Sequence, residues 1–180
     1  MEKELTSAEK EELIEIAREA VVTYINSGCI LPREASSTGL TGKRGCFVCI
    51  KIDGVLRGCI GNFVSDKPLV QLVQEMAVAA ATKDPRFYPM KKDDLAKFDL
   101  EISVLSPLQK VESVEEITVG VHGIYLEKNF SRGVLLPQVA VEQGWDRDTF
   151  LAQTSMKAGL GKDDWREGAD IYTFSAEVFS

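Results

Sequence analysis

Cys59 lies in the stretch "VLRGCIGNF", residues 55–63, between Gly58 and Gly61 and two residues after Arg57. A thiol attacks as its thiolate, and a neighbouring cation raises the thiolate fraction. Flanking glycines remove side-chain bulk, so a ligand could approach the backbone and the sulfur closely. In this pattern Cys59 is a candidate nucleophile or substrate-contacting thiol. Arg57 is a candidate anion anchor, and Gly58 and Gly61 give clearance for a bulge or a ligand. The competing reading is a small buried residue beside a β-bulge, because free cysteine is among the most buried residue types.

Other residues could join such a site. His122, the single histidine, sits in "VGVHGIY" and is a candidate general base for a nucleophilic cysteine. Equally, it suits a turn, since histidine tolerates positive φ better than most side chains. Arg86 in "DPRFYP" stands in a proline-bounded loop and could hold a carboxylate or phosphate; a surface ion pair is the plainer role. Glu101 falls on the polar face of an alternating strand, as a candidate acid or base or as a solvated position. Lys157 in "MKAGLG" could face a cleft or simply favour a helix C-terminus. Cys46 and Cys49 spell C-x-x-C, yet residues three apart in a strand point to opposite faces, and Cys29 with Cys59 gives no usual zinc spacing. No metal site and no cofactor is therefore expected.

The elements that must position these residues follow from periodicity. Apolar residues at helical spacing predict a helix over about 7–26, with Ser7 as N-cap. Residues 30–44, rich in Ser, Thr, Gly and Pro, read as an exposed loop and a candidate mobile flap. Asp53-Gly54 between two apolar runs predicts a two-residue hairpin turn. That register sets Ile52 opposite Val55, Ile50 opposite Arg57 and Val48 opposite Cys59, all on the face of Cys46. Phe47, Cys49, Leu56 and Ile60 take the other face.

A second helix is expected over 66–84 with Asp66 as N-cap, then a proline-punctuated connection over 84–98 and a strand over 99–111. Residues 117–137 read as two or three short strands turning at His122-Gly123 and near Asn129. A short and a longer helix follow over 137–160, the longer capped by Asp146, and "ADIYTFSAEVF" reads as one final strand. Strands arranged as hairpins and runs give an α+β fold, a mostly antiparallel sheet flanked by helices. One domain over 1–180 is expected, with a small β-rich lobe at about 112–136 inserted in a larger part made of 1–111 and 137–180.

The chain has 180 residues, 44% hydrophobic and 27% charged, with a net charge of −7, so it suits a globular domain with a core that needs no disulfides. The acidic balance disfavours nucleic acid as the main partner. The charged N-terminus lacks the apolar stretch of a signal peptide, and no window approaches the ~18 apolar residues of a membrane span. A cytoplasmic protein with reduced cysteines is the expectation.

The motifs also resemble a known family. "LRGCIG" (56–61) is similar to the signature hexapeptide of the AMMECR family. It is accompanied by "DPRF" (84–87), "EISVLSPL" (101–108), "GVHGIYL" (120–126), "RGVLLPQVA" (132–140), "GWD" (144–146), "FLAQTSMKAGL" (150–160) and Trp165. The short chain most resembles the branch called AmmeMemoRadiSam system protein A. The resemblance implies an antiparallel sheet with flanking helices, a smaller lobe, and a cleft lined by the signature residues. It also implies a three-component system with a Memo-like protein and a radical SAM enzyme. Where the family often carries a cysteine before the "KAGL" segment, this chain has Ser155 and Met156.

Two functions are thus in view. In one, a cleft around Arg57 and Cys59 binds an unidentified small molecule or performs thiol-based catalysis, with Cys59 and His122 as the catalytic pair and Arg57, Gly58, Gly61, Arg86, Glu101 and Lys157 binding substrate. The alternative is a non-catalytic adaptor that docks partner proteins through the LRGCIG hairpin.

Overall fold

The computed structural model describes residues 4–180. Its first helix, α1 (Ser7–Ser27), is capped by Thr6 rather than Ser7. The reason is a reciprocal box: the Thr6 hydroxyl accepts the Glu9 N–H at 3.3 Å, and the Glu9 carboxylate accepts the Thr6 N–H at 2.8 Å. Gly28 ends the helix in the left-handed region, φ 74°.

The segment after α1 is not a free flap. Leu40 within a 3₁₀ turn (Thr38–Leu40) is fully buried, and the Gln74 side chain donates to the Leu31 carbonyl at 2.8 Å and accepts the Arg33 N–H at 3.3 Å. Ser36 and Ser37 bond Glu12 and Glu9, and Arg33 pairs with Glu19. A polar, glycine-rich composition signals a loop; here its hydroxyls and one apolar anchor are spent holding it against the helices.

Strands β1 (Cys46–Ile52) and β2 (Val55–Asn62) form the expected hairpin, with Asp53 at φ 51° and Gly54 at φ 76°. Helix α2 (Leu69–Thr82) starts at Pro68, not at Asp66, and Pro68 serves as N-cap with its carbonyl accepting from Gln71 and Leu72. After a 3₁₀ turn at Lys92–Ala96 comes β3 (Phe98–Leu105).

Strand β4 (Gln109–Lys110) is followed by the hairpin of β5 (Gly123–Lys128) and β6 (Ser131–Leu135), with Asn129 at φ 55° in its turn. Helices α3 (Pro137–Gln143) and α4 (Arg147–Lys157) come next, and Asp146 caps α4 as expected, accepting the Thr149 N–H at 2.8 Å. The anticipated final strand is two: β7 (Asp170–Phe174) and β8 (Ala176–Phe179), interrupted at Ser175, whose N–H goes to the Ser106 hydroxyl.

One four-stranded sheet has the order β2-β1-β3-β8, the other β4-β7-β5-β6. In the first, β1 is antiparallel to both neighbours; in the second, β7 is antiparallel to β4 and β5, and β5 to β6. The architecture is α+β.

The chain forms two compact units, residues 1–105 with 177–180, and residues 106–176. The second extends well past 112–136, taking in α3, α4 and β7. It does so because these elements share one core: Ile124 and Leu126 of β5, Ala140 of α3, Phe150 and Leu151 of α4, Trp165, and Ile171 of β7. The core of the first unit joins Leu13, Ile16 and Val21 of α1 with Leu69, Leu72 and Val73 of α2 and the inward residues of β1 and β3. Glu177 anchors that unit's chain ends, accepting from the Leu5 N–H at 3.1 Å, Lys10 at 3.1 Å and Arg44 at 2.9 Å. Burial works to raise its pKa, and the Arg44 and Lys10 bonds outweigh it and lower it. No helix among the described residues is long and apolar enough to cross a membrane.

Candidate functional site

The hexapeptide occupies β2, an edge strand. The tight turn fixes Ile52 opposite Val55 and Lys51 opposite Leu56, but the register then shifts: Ile50 pairs with Gly58, leaving Arg57 as the extra residue of a β-bulge. Beyond the bulge, Cys59 is opposite Cys49, not Val48, and Ile60 is opposite Val48. One inserted residue inverts the alternation of everything after it. Ile60 therefore packs against the core, while Cys59 shares the outer sheet face with Cys49 and Phe47 rather than the face of Cys46.

This register brings the Cys49 and Cys59 Cα atoms to 4.0 Å, and the two sulfurs form a disulfide. The expectation of reduced thiols is corrected for this pair, because the bulge places them directly across two bonded strands. Cys46, on the inner face, is a free, buried thiol, and burial pushes its pKa up to about 12. Cys29 is free and exposed, 3.1 Å from the Ser27 hydroxyl.

The glycines of the hexapeptide have separate causes. A Cβ on Gly58 would stand 2.0 Å from the Ala80 carbonyl oxygen, so its absence lets α2 lie directly on β2. A Cβ on Gly61 would meet the Phe47 ring at 2.4 Å; Phe47 lies across this glycine and contacts Phe63 edge-on at 4.8 Å. Both spaces are filled by the protein itself.

Asp84, which the sequence showed only as a neighbour of Arg86, is the polar hub of this edge. It is 4% exposed, and its carboxylate accepts the Cys59 N–H at 2.9 Å, the Arg86 N–H at 3.1 Å, and Arg86 Nε and Nη2 at 3.0 and 2.7 Å. The Arg86 side-chain bonds hold this carboxyl well below the usual carboxylate range; burial opposes them, and the two backbone N–H groups add to them. Arg86 is thereby committed to Asp84 instead of presenting an open fork. The signal was the Asp-Pro pair, a turn former whose acid can bond backbone nearby.

Glu101 sits across β1 from this edge, in register with Cys49 on β3, and pairs with Lys51 at 3.0 Å. The Arg57 side chain makes no hydrogen bond or ion pair among the described residues, and the residue is half-buried. The first unit thus brings Arg57, Gly58, Cys59, Gly61, Arg86 and Glu101 to one sheet region. His122 and Lys157 belong to the second unit. His122 Nδ1 accepts the Thr118 N–H at 3.1 Å in the turn before β5, which places a neutral ring's proton on Nε2. Lys157 is exposed in the last turn of α4. Among the described residues no group of three His, Cys, Asp or Glu is placed to hold a metal ion.

An α+β chain with this hairpin signature has clear relatives. The AMMECR1 family model matches residues 14–179, and this chain belongs to that family. It is 43% identical to a protein of Methanopyrus kandleri, covering 99% of this chain and 91% of that one. A protein of Thermococcus onnurineus is 41% identical over 93% of this chain and 87% of its own length. The crystal structure of an uncharacterized protein from Pyrococcus horikoshii matches with a TM-score of 0.83 at 38% identity, over 94% of this chain and 89% of that chain.

Proposed function

We propose that this protein is a docking component of a three-part system with a Memo-like protein and a radical SAM enzyme, and that it engages a protein partner through the LRGCIG edge. The observation that carries this reading is the state of that edge. Cys59 sulfur is bonded to Cys49, while apolar side chains stand in solvent on and beside β2: Val55 is 69% exposed, Val64 68%, and Tyr88, in the loop that Asp84 ties to β2, 89%. An edge strand with exposed apolar residues is a ready interaction surface. The bulge at Arg57 adds an unpaired cation to it.

The test is capture of the purified Memo-like and radical SAM proteins by this chain. Val55→Asp with Tyr88→Ala is expected to abolish capture, and the double variant Cys49→Ser, Cys59→Ser to retain it. Capture unaffected by the first pair overturns the docking reading.

A second reading, small-molecule binding or thiol chemistry at Arg57 and Cys59, is favoured by the unpartnered guanidinium beside a half-buried sulfur. It requires prior reduction of the Cys49–Cys59 bond, since only the thiolate attacks. A turnover that appears on reduction and vanishes in Cys59→Ser, with capture intact, selects it.

A further inference from the structure

The Cys49–Cys59 bond joins two residues that the hairpin already holds opposite one another. Strands β1 and β2 share a two-residue turn and pair from Ile52 opposite Val55 to Cys46 opposite Asn62. The backbone around Cys59 has its own anchors. Its N–H goes to Asp84 at 2.9 Å, and Gly58 before it lies against the Ala80 carbonyl. The core of this unit is built on the other sheet face, where Val48 and Ile50 are fully buried. A disulfide constrains chiefly by closing a loop, and the loop between these cysteines, 10 residues apart, is one the hairpin closes by itself. Opening the bond therefore leaves both sulfurs on strands that keep them in place to rejoin.

The two ends of the bond differ in access. In thiol–disulfide exchange the attacking sulfur approaches in line with the bond that breaks, so access decides which sulfur is attacked. Attack on Cys49 comes across β3, where Glu101 stands directly opposite and is bonded to Lys51 at 3.0 Å. Attack on Cys59 comes from beyond β2, where the sheet has no further strand among the described residues. Asp84 does reach that edge, but through the Cys59 backbone N–H, which lies in the plane of the sheet while the side chain stands off its face. Both cysteines are half-buried, unlike Cys46 in the core.

We propose that Cys49–Cys59 is a redox-active site that dithiols open in the folded protein, with Cys59 the sulfur attacked. One thiolate of the dithiol bonds to the Cys59 sulfur. The Cys49–Cys59 bond breaks, and its electron pair leaves on Cys49, which takes up a proton. The second thiolate of the dithiol then attacks the dithiol's first sulfur, forming the reagent's own disulfide and releasing Cys59 as a thiolate that is protonated in turn. Two electrons, and the two protons the dithiol gave up, pass to the protein; the reverse sequence, run by a disulfide oxidant, closes the bond. Opening needs no docked partner, so its failure and a failure of capture are separate results.

The test follows the bond by acid quench, alkylation and mass mapping of the native chain. The probes are about 1 mM dithiothreitol and, separately, about 10 µM reduced thioredoxin. Opening is expected at a rate that urea below the unfolding transition does not change, and oxidised glutathione is expected to re-form the same pair. Opening by thioredoxin alone assigns a protein dithiol as the reactant, and opening by dithiothreitol alone a small one; either supports the site. Glutathione, a monothiol, traps the first step, and its adduct is expected on Cys59 at least about tenfold over Cys49. No opening by either dithiol, a rate that climbs with urea as unfolding does, or an adduct that favours Cys49 or divides evenly overturns the proposal.

Discussion

The polar groups around the hexapeptide in the first unit and two buried donors in the second are treated in opposite ways. Around the hexapeptide everything with chemical potential is engaged apart from Arg57: the Cys59 sulfur by Cys49, its N–H by Asp84, Asp84 by Arg86, and Glu101 by Lys51. In the second unit, the buried indole N–H of Trp165 and Nε–H of Arg147 have no acceptor among the described residues. Saturated groups of the first kind fix a backbone; unsaturated ones of the second kind cost the desolvation of the group without a bond in return. The motif richest in candidate residues is therefore the more architectural one, and the proposed docking rests on what it exposes.

Removing a saturated group should cost the most. Asp84→Ala leaves the Cys59 N–H unmet at the sheet edge and frees Arg86, and should lower unfolding stability by about 3 kcal/mol in urea titrations. Asp84 also sets a pH dependence. Its folded pKa lies below its unfolded value, so its contribution is complete above the unfolded pKa, about 4, and is lost as pH falls toward the folded one. The acid limb of the stability curve below pH ~4 should flatten in Asp84→Asn. A limb of unchanged slope would place the acid sensitivity elsewhere.

Next in size is the disulfide. Opening a bridge between cysteines 10 residues apart should cost about 2–3 kcal/mol, read as a lower urea midpoint in reductant that Cys49→Ser reproduces without it. Alkylation with mass detection sharpens the comparison of thiols. The native oxidised protein should take one label, at Cys29; reduction should add Cys49 and Cys59; Cys46, buried with its pKa at about 12, should react only on unfolding. Early labelling of Cys46 would contradict its place in the core.

The smallest effect is expected where a group has no partner to lose. Trp165→Phe keeps the ring against the core and deletes an unsatisfied donor, so stability should change by less than about 1 kcal/mol. A loss approaching that of Asp84→Ala would mean that the indole N–H has a structural acceptor in solution, and the contrast between the two units would collapse.

Much of this fold was readable because it is set by local periodicity. The Asp53-Gly54 turn, the Asp146 cap and the alternation of Leu100, Ile102 and Val104 each depend on a few adjacent residues. The misreadings share a cause. The glycines allowed for a bulge, but its place at Arg57, like the break at Ser175 and the burial of Leu40, depends on what lies across space. The pairing of Cys49 with Cys59 was hidden by one residue of register, since an unbulged hairpin puts them on opposite faces.

By itself the sequence determined the α+β class, the hairpin, the helices and the family signature, because propensity, turn chemistry and hydrophobic period act over short range. Only the tertiary structure decided that Cys59 faces Cys49, that Gly58 gives room to the Ala80 carbonyl, and that Asp84 holds the edge. It alone buried the donors of Arg147 and Trp165 with no acceptor among the described residues. Those outcomes turn on register and close packing between distant segments, where a shift of one residue or one methyl group changes which atoms meet.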